Sequence, residues 1–471
     1  MPATALTLDY SNVLPKAIGK VHGLSTAEIK RAQPAVRDAI VRIERERKQG
    51  MHRYRELPHD AEMLKQVRAA VRRYTAGKFE NLVVLGIGGS ALGNIALQTA
   101  LNPAQHNLMA GKARRGPRLF VLDNVDPVQF ANLIDVLGTG LRKTLFNVIS
   151  KSGETAETAA QFLIVRDLLA RKLGKKAYTR NLLVTTDPEG GTMRGIVESE
   201  GYDALCVPAG VGGRFSVLSA VGLFSAGMCG IKIDKLLAGA AAMEAQVSRK
   251  VVAKNPAAML ALLLHAYYVR GKRLHVMMPY AYQLKDLADW YRQLWAESLG
   301  KRFDQDGEIV NLGPTPIKAL GATDQHSQVQ LYREGPNDKV FIFLEVGKFA
   351  KDVKIPRVAG TPDALKYLQG KSLGQLLNAE KGATEYALVQ SERPCLTIRF
   401  PQVREHTVGQ FIMLWEATTS IVGKLMGINP YDQPAVQTGK DFTFALMGRK
   451  GYEKQAKEFA RYAKRCNKVT K

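Results

Sequence analysis

The chain has 471 residues, 46% of them hydrophobic and 23% charged, which fits a globular protein of two or three domains and excludes a disordered or fibrous one. The longest apolar stretch, residues 257–269, is interrupted by His265, and the N-terminus carries no basic-then-apolar leader, so no membrane span and a cytoplasmic location are expected. The 67 Lys and Arg against 43 Asp and Glu give a net charge of +24, spread over several stretches without the regular interleaving of aromatics found in single-strand readers; no specific nucleic-acid partner is expected.

Up to residue 79 the chain reads as charged helices, with Ser25 and Glu28 as a capping box and Pro34 predicting a kink or restart. Residues 81–101, NLVVLGIGGSALGNIALQTAL, read as a buried strand, a glycine turn and a helix. Gly86, Gly88 and Ala91 fit the looser dinucleotide pattern, but Asp123, the next acid suited to a ribose, lies well beyond the expected spacing of about 20 residues. The alternative is that Gly88, Gly89 and Ser90 permit close backbone approach to a polyol or phosphate. In LFNVISKSGETAETAAQF, residues 145–162, an apolar run ends in Ser150, Ser152, Thr155 and Thr158 before a helical pattern. Hydroxyls, free amides and Lys151 at a helix start suit a phosphate. A capping role for Thr155 and Thr158 is the plainer reading, yet one cap needs one hydroxyl and four stand within nine residues.

The segments NLLVTTDPEGG and ALCVPAGVGGRFSVLSAVGL continue the alternation of strand and helix, which indicates a doubly wound parallel sheet. Loops after such strands gather at one edge, bringing Ser90, residues 150–155 and Arg214 to one crevice. Arg214, flanked by glycines, is either a ligand-facing or a surface arginine. A second unit begins near residue 255: helix, buried strand LHVMMPY, then the long helix AYQLKDLADWYRQLWAESLGKRF. There Gln293 and Glu297 share a face, and Glu297 near Trp295 reads as a general base or as a solvated helix glutamate. His326, in a polar segment, reads as a proton shuttle or a structural histidine. Two more strands, KVFIFLEV and PCLTIRF, precede a long buried helix, a loop INPYDQPAVQTGKDF carrying Lys440, and a final basic helix. The expected layout is a helical segment 1–79, α/β units at 80–240 and 255–445, and a basic helix at 446–471. Four widely separated cysteines (Cys206, Cys229, Cys395, Cys466) exclude a zinc ribbon or a dense disulfide framework, and Cys206 and Cys229 read as core.

Six segments, GIGGSALG, SKSGETAET, GGRFSVLSAVGL, QLWAESLGK, GATDQHSQVQ and NPYDQPAVQTGK, together resemble the glucose-6-phosphate isomerase family, of the shorter bacterial type, in that family's order. The resemblance implies two sugar-isomerase-type α/β domains and reversible isomerisation of glucose 6-phosphate and fructose 6-phosphate through ring opening and a cis-enediolate. It implies that Ser150, Lys151, Ser152 and Thr155 hold the phosphate, with Gly89 and Ser90 close to the sugar. Glu297 would move the proton between C1 and C2, Arg214 would stabilise the enediolate, His326 and Lys440 would serve ring opening, and Gln293 and Gln433 would bind ligand. It further implies a homodimer in which His326 completes the neighbouring subunit's site, with no cofactor and no metal. Ala435 and Gln437 depart from the glycine and glutamate that many relatives carry, just ahead of Lys440. A non-catalytic sugar-phosphate sensor and an NAD-dependent enzyme are the rival readings.

Overall fold

The computed structural model describes residues 5–175 and 177–465. The first strand, β1 (Thr7–Asp9), belongs to the second of two sheets. The next five build the first sheet: β2 (Asn81–Leu85), β3 (Arg118–Leu122), β4 (Thr144–Ile149), β5 (Leu182–Thr186) and β6 (Asp203–Cys206). Their order is β3-β2-β4-β5-β6, with every pair parallel. β2, β4 and β5 are buried along their whole length. Both faces of a parallel sheet are covered by its crossover helices, so these strands read as unbroken apolar runs instead of alternating.

The second sheet contains β7 (Leu274–Pro279), then, beyond a ribbon of β8 (Lys301–Phe303) and β9 (Ile309–Leu312), β10 (Thr315–Lys318), β11 (Lys339–Val346) and β12 (Cys395–Phe400). Its order is β1-β12-β11-β7-β10, parallel throughout except for β1 at the edge. Without the edge strands β1 and β6, the sheets read β3-β2-β4-β5 and β10-β7-β11-β12: the same winding, made twice. In each the chain starts at one strand, steps to one side, then returns to the other, leaving a switch point where ligands bind. The helices Leu92–Leu101 and Lys285–Leu299, which follow the two starting strands, pack against each other across the sheets.

The helix Glu405–Leu425 runs through the core beside the helix Ile233–Val247. The two cross so closely that a Cβ on Gly409 would lie 2.0 Å from the Leu236 carbonyl oxygen, so only glycine fits there. Trp415 from this helix meets Trp295 and Tyr291 in a fully buried aromatic group. Truncating either tryptophan to alanine costs about 3–5 kcal/mol by the usual core arithmetic.

Four local expectations change. The Ser25–Glu28 capping box is present, but the helix Thr26–Lys48 runs on through Pro34 without a break, its amphipathic face still packed through Val36, Ile40 and Ile43. The N-terminal segment is not purely helical, because β1 pairs antiparallel with β12. The segment carrying Lys440, expected as a loop, is the helix Ala435–Leu446, which starts after Pro434 and passes through Gly439, where nothing crowds the missing side chain. Cys229 is buried, whereas Cys206, at the end of edge strand β6, is only half-buried because no strand covers its far side. Of the expected basic helix at 446–471, Glu453–Ala463 is helical, and Cys466 with the rest of the tail lies outside the described residues.

Candidate active site

Over the C-terminal ends of β2, β4 and β5 lies an open crevice of about 750 Å³. Its floor is the loop after β4. The Ser150 Oγ accepts from the Gly153 amide at 3.0 Å and the Ser152 Oγ from the Glu154 amide at 3.2 Å. A hydroxyl held as acceptor still has its proton to donate, so both keep an O–H to offer an anion. Thr155 is the N-cap residue of the helix Ala156–Leu173, yet its side chain makes no cap hydrogen bond. The plain capping reading therefore fails for Thr155, while Thr158 is buried. Lys151 Nζ lies 3.5 Å from the Val211 carbonyl and also lines the crevice. Asp187 sits beside it, its carboxylate held below the ordinary range by the Glu189 and Gly190 amides and by the charge of Lys151.

The glycine turn after β2 forms the second wall. A Cβ on Gly89 would stand 2.2 Å from the Gly213 carbonyl carbon, so the two glycine loops touch backbone to backbone and only glycine permits it. That contact aims Arg214, which is 3% exposed, into the crevice. Its guanidinium donates to Ser298 Oγ at 2.7 Å, Gln433 Oε1 at 2.8 Å, Glu297 Oε2 at 3.3 Å, and the carbonyls of Pro430 at 2.6 Å and Asp432 at 3.1 Å. Burial pulls its pKa down and the Glu297 charge opposes this. A guanidinium remains cationic under such conditions.

Glu297 arrives from the other sheet, on the helix Lys285–Leu299. Trp295 packs the opposite way, into the core against Tyr291, Trp415 and His275. The carboxylate's own neighbours are polar: Arg214 on Oε2 and Gln293 Nε2 on Oε1 at 3.0 Å. Gln293 lines the crevice, and its Oε1 is buried without a partner among the described residues. The arrangement can hold an anion at one end and, at the other, move a proton on a carboxylate beside a fixed cation.

The structure thus brings together Gly89, Ser90, Ser150, Lys151, Ser152, Thr155, Arg214, Gln293, Glu297, Gln433 and Lys440, the last on the exposed face of its helix. It does not bring His326 with them: that residue is exposed on the short turn Thr323–His326 after β10 and does not line the crevice. Residue reading missed Lys301, whose buried ammonium spans the Glu297 carbonyl at 2.7 Å and the Asp432 carbonyl at 2.9 Å. Burial, then repulsion by Arg214, lowers its pKa. Its spacing of four from Glu297 was the available signal. The carbonyls of Pro430 and Asp432 had no side-chain signal at all.

A family model described as "Phosphoglucose isomerase" matches residues 46–463. Glucose-6-phosphate isomerase from Carboxydothermus hydrogenoformans is 44% identical over 461 residues, covering 98% of each chain. That from Rubrobacter xylanophilus is 42% identical, covering 95% of this chain and 99% of its own. Among solved structures, a hypothetical protein from Thermus thermophilus superposes with a TM-score of 0.84 at 37% identity, covering 94% of this chain and 100% of that one. A glucose-6-phosphate isomerase from Chlamydia trachomatis shares the fold, with a TM-score of 0.80 at 21% identity over 98% of this chain and 92% of its own. A crevice that joins a phosphate-type loop on one sheet to a carboxylate–guanidinium pair from the other, in a chain matched along nearly its whole length, belongs to the phosphoglucose isomerase family.

Proposed function

We propose that the reversible interconversion of glucose 6-phosphate and fructose 6-phosphate, the reaction of the family to which the chain belongs, takes place in this crevice with Glu297 as proton carrier. The observation that supports it is the juxtaposition of the 150–155 loop with the Glu297–Arg214 pair. Ser150, Ser152 and Thr155 hydroxyls and the first amides of the Ala156–Leu173 helix take the phosphate, with Lys151 adding charge. The sugar then extends past Gly89 and Ser90 toward Glu297. After ring opening, one carboxylate oxygen takes the proton from the carbon next to the carbonyl and returns it one carbon away. The developing enediolate oxygen is stabilised by Arg214, whose five contacts fix it before the charge appears and leave no reorganisation for the reacting step. Gln293 holds Oε1 in place, and Gln433 offers its amide nitrogen to the ligand while its oxygen is tied to Arg214.

Lys440, over the crevice rim, assists ring opening with a histidine supplied from outside this chain. His326, exposed and away from its own crevice, suits the site of a second copy, so the working form we propose is a cytoplasmic homodimer. In domain terms, 80–240 and 255–445 are the two sugar-isomerase-type units, 1–79 the segment that lends β1 to the second, and 446–471 the C-terminal tail. Among the described residues no helix is long and apolar enough to cross a membrane.

The test is conversion of fructose 6-phosphate by purified protein with EDTA present, with mannose 6-phosphate in parallel. Turnover of the first supports the proposal; ligand-induced stabilisation without turnover would favour the sensor reading. Mixing inactive Glu297→Gln and His326→Ala chains after joint unfolding tests the shared site. Recovered activity supports it, and none contradicts it.

A further inference from the structure

The winding that makes the catalytic crevice is made twice, so its second copy has a geometric counterpart. The first crevice lies over the ends of β2, β4 and β5 and borrows Gln293 and Glu297 from the helix after β7. The corresponding place over β7, β11 and β12, faced by the helix after β2, holds a cleft of about 920 Å³. It is lined by Gln283 after β7, Lys348 after β11, Gln402 and Arg404 after β12, and Ala100 and Leu101 from the borrowed helix. Its chemistry differs. Where the first crevice receives a carboxylate and an amide from the crossing helix, the second receives alanine and leucine, so no proton carrier enters it from there. Where the first has a serine loop, the second has cations: Arg115, Lys232, Lys235, Lys348 and Arg404, against one lining carboxylate, Glu405. None of the five makes an ion pair among the described residues. The floor is the start of the Glu405–Leu425 helix, where Thr407 Oγ1 accepts from the Arg404 amide at 3.1 Å and His406 Nδ1 is buried without a partner among the described residues.

We infer that this cleft is a second, non-catalytic binding site for a small soluble molecule carrying two or more phosphate groups. Five cations against a single carboxylate leave the cleft strongly positive, and two phosphates would neutralise it in a concave place. A single phosphate would use only part of the set. The absence of a carboxylate on the crossing helix makes the ligand a bound effector instead of a second substrate. The inference stands on the lining of this cleft, drawn from both units, and does not depend on the catalytic assignments.

The test is calorimetric titration of the full-length protein with inorganic pyrophosphate, with saturating fructose 6-phosphate present to fill the first crevice. The expected result is one pyrophosphate per chain, bound more tightly than orthophosphate. Lys348→Glu with Arg404→Glu should weaken binding roughly tenfold or more, as losing two charge-assisted contacts requires. The KM for fructose 6-phosphate should stay unchanged. Lys348→Ala with Arg404→Ala, checked by thermal melting, gives the same direction if the reversal variant does not fold. No binding in the presence of fructose 6-phosphate, or equal affinity in wild type and folded variants, would overturn the inference. So would a pyrophosphate affinity no better than that for orthophosphate.

Discussion

Replacing Arg214 with lysine keeps a positive charge and removes a geometry. The guanidinium serves five acceptors and is itself 3% exposed; two of those acceptors, Ser298 Oγ and the Pro430 carbonyl, are buried where water cannot replace it. A lysine ammonium has three protons, so at least two of the five acceptors lose their donor. Two buried acceptors left alone at about 1–3 kcal/mol each put Arg214→Lys at roughly 2–6 kcal/mol of lost stability. Catalysis loses more specifically. On the proposed mechanism the Pro430 and Asp432 carbonyls and Ser298 hold the cation beside the developing enediolate, and a point charge on a flexible stem is not held there. Losing one preorganised oxyanion contact lowers kcat by about 10²–10³-fold. The assays are urea unfolding and a coupled measurement of glucose 6-phosphate formed from fructose 6-phosphate. A variant within threefold of wild-type kcat/KM would refute the role of Arg214 as the fixed cation.

Thr155→Val should raise KM for fructose 6-phosphate by roughly tenfold, the loss of one charge-assisted contact. It should leave the melting temperature nearly unchanged, because Thr155 makes no cap hydrogen bond; a clear drop in melting temperature would restore the capping reading. Gly89→Ala should lower both stability and activity, since its Cβ would meet the Gly213 carbonyl oxygen at 2.3 Å and push apart the two loops that aim Arg214. An overpacked backbone contact costs about 1–3 kcal/mol, and wild-type melting with wild-type kcat would count against the loop-to-loop account. His275 is buried with both ring nitrogens unpaired among the described residues, and burial pushes its pKa down to about 3. A histidine depressed in the folded state is neutral there, so its contribution is complete above the unfolded pKa of about 6.5 and is lost as pH falls toward 3. His275→Leu should therefore flatten the fall in stability between about pH 6 and pH 4 by up to ~1.4 kcal/mol per pH unit, read from urea midpoints. Parallel curves for wild type and variant would contradict the buried neutral histidine.

Most of the fold was legible because buried parallel strands announce themselves. β2, β4, β5 and β11 are apolar runs closed by glycine or hydroxyl loops, and the alternation with helices fixes the winding. Short elements held by tertiary pairing were not legible: β1 and β10 have three and four residues and exist because a neighbouring strand accepts them. A local rule also gave way to packing at Pro34, inside a helix whose apolar face stays buried. In the crevice, side chains such as Ser150, Arg214 and Glu297 could be picked out as candidates from the chain, Gln433 and Lys440 took their roles only from the resemblance, and His326 lies outside the crevice. The positioning parts could not be picked out, since Pro430 and Asp432 act through carbonyls and Lys301 through its reach across two elements. Trp295 misled for a related reason: adjacency in sequence is not adjacency on a helix, and its ring and the Glu297 carboxylate point to different sides.

The central claim is that Glu297 carries the proton while the 150–155 loop holds the substrate. Its most direct test is Glu297→Gln, with fructose 6-phosphate binding measured alongside turnover and incorporation of solvent deuterium into the sugar. Glutamine keeps the shape and cannot take a proton. The account predicts a dissociation constant within about threefold of wild type, with turnover and deuterium incorporation both reduced by at least ~10³-fold. Near-normal turnover, or deuterium incorporation that persists at the wild-type rate, would contradict it.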